Sequence, residues 1–165
     1  SQMDAQIGNI STEDTYPDNG ADNFGLGIEI AGSTENSVIN NLRSVRPHSM
    51  GLSLSGAPNT LVTNVLVREC GYTSKSVGVS RRGIDGIEIV NSNDAIVKGQ
   101  IINTWAVGVR LDKSNSAEFH GKIIQNNYWS CSSRLTLGCL VRSVEESIEL
   151  EAQKYLMQRF LVVVT

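Results

Sequence analysis

A glycine followed by alternating apolar residues recurs four times along the chain: Gly27-Ile28-Glu29-Ile30, Gly51-Leu52-Ser53-Leu54, Gly86-Ile87-Glu88-Ile89 and Gly108-Val109-Arg110-Leu111. Each run has the period of two that places every second side chain on one face of a strand. A polar turn follows each time (AGSTEN, SGAPN, VNSND, DKSNS). Then comes a longer stretch with the same alternation (SVINNLRSV, TLVTNVLVREC, AIVKGQIINTW, AEFHGKIIQNN). The glycines lie 24, 35 and 22 residues apart, so the units share one basic length and the second carries an insertion. A fifth, weaker unit is expected to start at Arg134, with Leu135 and Leu137 in the apolar places. Period two inside each unit and a fixed period between units predict strands stacked by coiling, each rung burying its face on the next. Leucine-rich repeats share the period, but their leucine-asparagine consensus and helical half are missing.

This rung pattern resembles the right-handed parallel β-helix, or pectin-lyase-like, superfamily, which includes polysaccharide lyases, hydrolases, epimerases and phage tailspikes. The resemblance covers roughly residues 5 to 142. It implies an all-β fold, a right-handed single-stranded parallel β-helix of about five rungs, acting on or binding an extracellular or cell-surface polysaccharide. The competing class is a non-catalytic rod, the shaft of a viral spike or an adhesin. Either role places the chain outside the cell or on a virion surface. Lateral assembly into a homotrimer, as in tailspikes, would suit a coil that turns one apolar outer face to its copies. The family's catalytic motifs are not found: there is no polygalacturonase-type aspartate pair and no epimerase Asp-Pro-His.

The ends differ from the middle. Ile7 and Ile10 look like the close of a rung whose beginning is absent, which suggests a piece of a longer protein. Residues 143–165 are expected to form a C-terminal helix and tail behind the rungs of residues 1–142. Ser143-Val144-Glu145-Glu146 has the S-x-x-E form of a capping box, and SIELEAQKYLMQRF follows without Gly or Pro. Ile148-Glu149-Leu150 would also suit one more strand.

Composition sharpens this picture. Only 5% of the 165 residues are aromatic while 40% are hydrophobic, so the core must be built from Val, Ile and Leu, which favours strands. A net charge of -3 gives no electrostatic footprint for nucleic acid, and no stretch is apolar enough to be inserted across a membrane. The N-terminus lacks the basic and apolar regions of a signal peptide, as a mature secreted chain or a fragment also would. Three cysteines, Cys70, Cys131 and Cys139, cannot all pair within one chain and match no zinc spacing. They read as mostly structural thiols, with a Cys131–Cys139 disulfide left open. Recurrent asparagines, among them Asn36, Asn59, Asn64, Asn91 and Asn103, suit tight turns because Asn tolerates the left-handed backbone. They are read as scaffold, not ligands.

Candidate chemistry lies on the outward positions of the short strands. Glu29, Ser53, Glu88, Arg110 and Thr136 would form one column, with neighbouring rungs about 4.8 Å apart. Glu88 and Arg110 are then adjacent, and Glu29 and Glu88 stand about 10 Å apart. Inverting glycosidases keep their two carboxyls roughly 6.5 to 9.5 Å apart, so Glu29 and Glu88 are the catalytic candidates. Glu88 is expected to be the ionised base because Arg110 would favour its charged form, and Glu29, beside an acidic loop, the proton holder.

Two long loops, residues 11–24 and 71–85, flank this column at its two glutamates. Most of the few aromatics fall in connections, including Tyr16, Tyr72, Trp105 and Trp129, where flat rings can bury the apolar face of a sugar. With Arg81, Arg82, Asp85 and Arg110 they complete the substrate-binding set, the arginines being suited to an acidic sugar. DNGADN at residues 18–23 has oxygen donors for calcium without the EF-hand spacing, so calcium is a minor option and no other cofactor is expected. His48 and His120 have no visible nucleophile partner.

Overall fold

The computed structural model describes residues 6–15, 25–32, 36–71, 85–105, 107–124, 129–134 and 140–146. Eleven strands fill most of them: β1 (Gln6–Glu13), β2 (Ile28–Ala31), β3 (Val38–Val45), β4 (Leu52–Ser55), β5 (Leu61–Arg68), β6 (Ile87–Val90), β7 (Ile96–Ile102), β8 (Val107–Asp112), β9 (Glu118–Ile124), β10 (Trp129–Arg134) and β11 (Leu140–Glu146). Among the described residues there is no helix.

The strands form two wholly parallel sheets. The six-stranded sheet runs β1-β3-β5-β7-β9-β11 and the five-stranded sheet β10-β8-β6-β4-β2. From β1 onward the chain therefore alternates between sheets, and each strand pairs with the strand two places along. In the five-stranded sheet Ile28 pairs with Leu52, Leu52 with Ile87, Ile87 with Val109 and Val109 with Cys131. The first three steps reproduce the glycine spacing read from the sequence. β1 pairs with β3 through Ile7–Ile39 and Ile10–Leu42, so the apolar residues before the first glycine belong to a strand of the same repeat.

The inward residues explain why these strands meet. Ile28, Ile30, Leu52, Leu54, Ile87, Ile89, Val109 and Leu111 from one sheet share a single buried cluster with Ile39, Leu42, Val62, Val65, Val97, Phe119 and Ile123 from the other. Each such side chain stabilises by about 1.5–3 kcal/mol when fully buried. Gly27, Gly51 and Gly86 sit where the sheets close on one another. A Cβ at Gly86 would lie 2.6 Å from Ile101 Cγ2 and 2.6 Å from the Gly108 carbonyl oxygen, so only a hydrogen fits.

Left-handed residues recur in register. They follow the short strands at Gly32, Gly56, Asn91 and Lys113, precede the long strands at Asn36, Asn59, Asp94 and Ser116, and follow those at Asp14, Arg46, Glu69 and Asn103. A fourth set, Asn9, Asn41 and Asn64, lies inside β1, β3 and β5. There the amides form a ladder: Asn41 Nδ2 donates to Asn9 Oδ1 at 2.9 Å and Asn64 Nδ2 to Asn41 Oδ1. The left-handed backbone expected of asparagine is thus found at Asn36, Asn59, Asn64, Asn91 and Asn103. The extra residue ends between β5 and β7, where the register shifts between Val62 and Val65.

Two expectations about the C-terminal part are corrected. The fifth short strand is Trp129–Arg134, with Cys131 opposite Val109 and Arg134 opposite Asp112, so the unit does not start at Arg134. Ser130 stands where the other units have glycine, which hid the repeat. Ser143–Glu146 lies in β11, paired with Gly121–Ile124 of β9, so these residues continue a strand and do not cap a helix there. The strand's pairing with a preformed neighbour outweighs a four-residue capping pattern. The rest of the expected helix, residues 147–165, lies outside the described residues, as do Leu135, Thr136 and Leu137.

Candidate functional site

The outward column forms in the register expected: Glu29 pairs with Ser53, Ser53 with Glu88, Glu88 with Arg110 and Arg110 with Ser132. Ser132 takes the place assigned to Thr136. Glu29 is exposed, Glu88 and Arg110 are partly buried, and Ser53 is only 6% exposed. Two strand spacings of about 4.8 Å put the Glu29 and Glu88 positions about 10 Å apart.

Arg110 does not pair first with Glu88. Its Nε donates to Asp85 Oδ2 at 2.5 Å and its Nη2 to Asp85 Oδ1 at 3.3 Å, while Glu88 Oε1 is 3.9 Å from Nε. Asp85 is 0% exposed and also accepts the Val107 N–H. Burial pushes the Asp85 carboxyl above its ordinary range, offset in part by Arg110, and the same contact raises the Arg110 guanidinium.

Burial and these neighbours work against the charged form expected of Glu88. Burial, then the Asp85 charge, then Asp112, raise its carboxyl, and Arg110 opposes without prevailing. Glu88 therefore holds a proton to higher pH than an ordinary glutamate. Asp112, opposite Val90 and two residue pairs along from Glu88 and Arg110, has its Oδ1 buried without a partner.

Asp85 anchors Arg110 more firmly than its sequence context suggested. One signal existed for Asp85: the residue before the recurrent glycine is Leu26, Met50 or Val107 in the other units, so an aspartate there marks a charge in an apolar place. Of the remaining substrate-binding candidates, Trp105 is partly buried and its backbone N–H donates to the Cys70 carbonyl at 3.0 Å. Trp129 opens β10 opposite Val107 and is not in a loop. Tyr16, Tyr72, Arg81, Arg82 and the calcium-type residues 18–23 lie outside the described residues. Burial raises the Cys70 thiol well above its usual range, which suits a structural thiol. Among the described residues no group of three or more His, Cys, Asp or Glu is placed to hold a metal.

A second surface feature was not foreseen. Where the asparagine ladder ends, the six-stranded sheet has a shallow depression of about 390 Å³ lined by Asn64, Val65, Leu66, Gly99, Gln100, Gly121 and Lys122. Lys122 is the one ionisable side chain lining it, so it offers hydrogen bonds and one charge but no acid-base pair. Comparison with protein-family models, with curated proteins and with solved structures finds no match to this chain.

Proposed function

We propose that the two sheets are faces of one right-handed parallel β-helix of the pectin-lyase-like kind, and that the chain is a module that binds an extracellular or cell-surface polysaccharide along the outer face of its five-stranded sheet. Alternation between parallel sheets supports the coil, and the strong preference of parallel crossovers for one hand supports its handedness. The observation that carries the binding reading is the register column Glu29, Ser53, Glu88 and Arg110, with Arg110 fixed by a buried Asp85. A row of polar groups at one-strand intervals on a rigid sheet matches an extended ligand with repeating hydroxyls.

Cleavage is the stronger form of this reading. Glu88, holding its proton, would protonate the leaving oxygen while Glu29 activates water, at a spacing near the upper end of the inverting range of roughly 6.5 to 9.5 Å. A glycan-array screen with the chain tests binding, followed by turnover assays on every ligand found. Glu88→Gln and Glu29→Gln should each abolish turnover while leaving the fold intact. Retained turnover in both variants removes the catalytic assignment. The structural rod has one observation in its favour: Arg110 and Asp85 satisfy each other within the chain. Failure to bind any glycan establishes that reading instead.

A further inference from the structure

We propose, resting on the polysaccharide reading above, that the glycan is one with free amino groups, a glucosamine-type polymer, whose ammonium sits over Ser53 between Glu29 and Glu88. The charge balance of the face comes first. Among the described residues, Glu29, Asp85, Glu88 and Asp112 are acidic positions on or directly behind it, against Arg110 and, in register with Asp112, Arg134. Arg110 directs Nε and Nη2 at Asp85, so its fork is already engaged and is not presented to an incoming carboxylate. A uronate would meet an excess of like charge, which suppresses binding.

The second observation is Ser53. It is more than nine-tenths buried, lies on the outward column, and its hydroxyl makes no side-chain hydrogen bond among the described residues. Its neighbours across the sheet are Glu29 on one side and Glu88 on the other. Ser53 is thus a short hydroxyl side chain set in register between two longer acidic ones. An alkyl ammonium carries three donors and no acceptor, so it can use both carboxyl groups and the serine oxygen at once, and its charge beside Glu88 favours the ionised form of that carboxyl. An N-acetyl group has one donor, no charge and more bulk.

The test measures equilibrium binding at low ionic strength of three oligosaccharides of equal length: glucosamine, N-acetylglucosamine and galacturonate. The glucosamine oligomer should bind at least about tenfold more tightly than the acetylated one, the scale of one charge-assisted contact. The galacturonate oligomer should be weakest. Glu29→Gln and Glu88→Gln should each remove that preference. Asp94→Asn, an exposed turn aspartate whose left-handed backbone asparagine tolerates, should leave it unchanged and so exclude general attraction to an acidic chain. Equal or tighter binding of galacturonate or of the acetylated oligomer overturns the proposal, as does an Asp94→Asn effect equal to that of Glu88→Gln. Binding of other glycans but none of these three overturns it while leaving the module reading standing. No glycan binding at all overturns both.

Discussion

Single residues decide whether the outer column is a site or a surface. Arg110 is 30% exposed at its side chain while Asp85 is wholly buried, so the pair is asymmetric. Removing the arginine strands a carboxylate in the interior, whereas the guanidinium itself can reach water. Arg110→Met should therefore cost about 3 kcal/mol at neutral pH, the low end for breaking a buried pair because one partner is partly solvated. The cost should depend on pH with a defined sign. The Asp85 carboxyl is already raised in the folded protein, and losing Arg110 raises it further. A carboxyl raised on folding binds its proton more tightly in the native state, so stability falls as pH rises from the ordinary value of 3.8 through the folded one. Below that window Asp85 is neutral in both states and the variant should approach the parent. Urea unfolding across a pH series checks this, and a loss that does not change with pH would show that Asp85 is not the group left uncompensated.

At the scale of elements, much of the fold was legible. The glycine-led units survive as β2, β4, β6 and β8 because a two-residue alternation of Ile, Leu and Val is a direct record of which face is buried. The same signal was too short at β10, where WSCSSR alternates only through Trp129 and Cys131 and has Ser133 opposite Leu111, so the strand is specified by the neighbour it pairs with. The outward column was legible for the same reason as the core, since register follows from the alternation. The Asp85–Arg110 pair was not, because it joins residues 25 positions apart across a turn whose shape no local pattern records. The asparagine bulge is intermediate: Asn40-Asn41 advertises a turn-forming pair, yet its left-handed member lies inside a strand. Where the bulge stops, Gly99 and Gly121 bring backbones together, and a Cβ on Gly121 would overlap the Gly99 carbonyl oxygen. Gly56 has a positive φ of 64 but nothing within 4 Å of a Cβ. Gly121→Ala should thus cost about 3 kcal/mol, because backbone must move, against about 1 kcal/mol for Gly56→Ala, which strains only its own φ. Thermal unfolding of the two variants compares them, and the reverse order would mean that the bulge end adapts freely.

Across the whole molecule, stability is shared between neighbours. In stacked repeats each unit is held by its own residues and by the units beside it, so strands paired on both sides open least. β3 to β9 have neighbours on both sides, while β1 and β2 at one end and β10 and β11 at the other end their sheets among the described strands, and Ile7 and Val38 are exposed large apolar side chains near the first of these ends. Hydrogen exchange should be faster at the sheet-ending strands β1, β2, β10 and β11 than at β5, β6 and β7, where it should be slowest. That gradient gives a way to locate the ligand. A glycan that binds only the folded chain adds about 2.7 kcal/mol at a concentration a hundredfold above its dissociation constant. If it lies along the column, the slowing should extend across β2, β4, β6 and β8, because the ligand ties successive units of that sheet together. The depression on the opposite sheet provides the contrast, since its lining residues belong to β5, β7 and β9. Added protection confined to those three strands would move the binding site from the Glu29–Glu88 column to the groove at Asn64 and Lys122, while protection of the short strands on both sides of Ser53 requires a ligand that spans them.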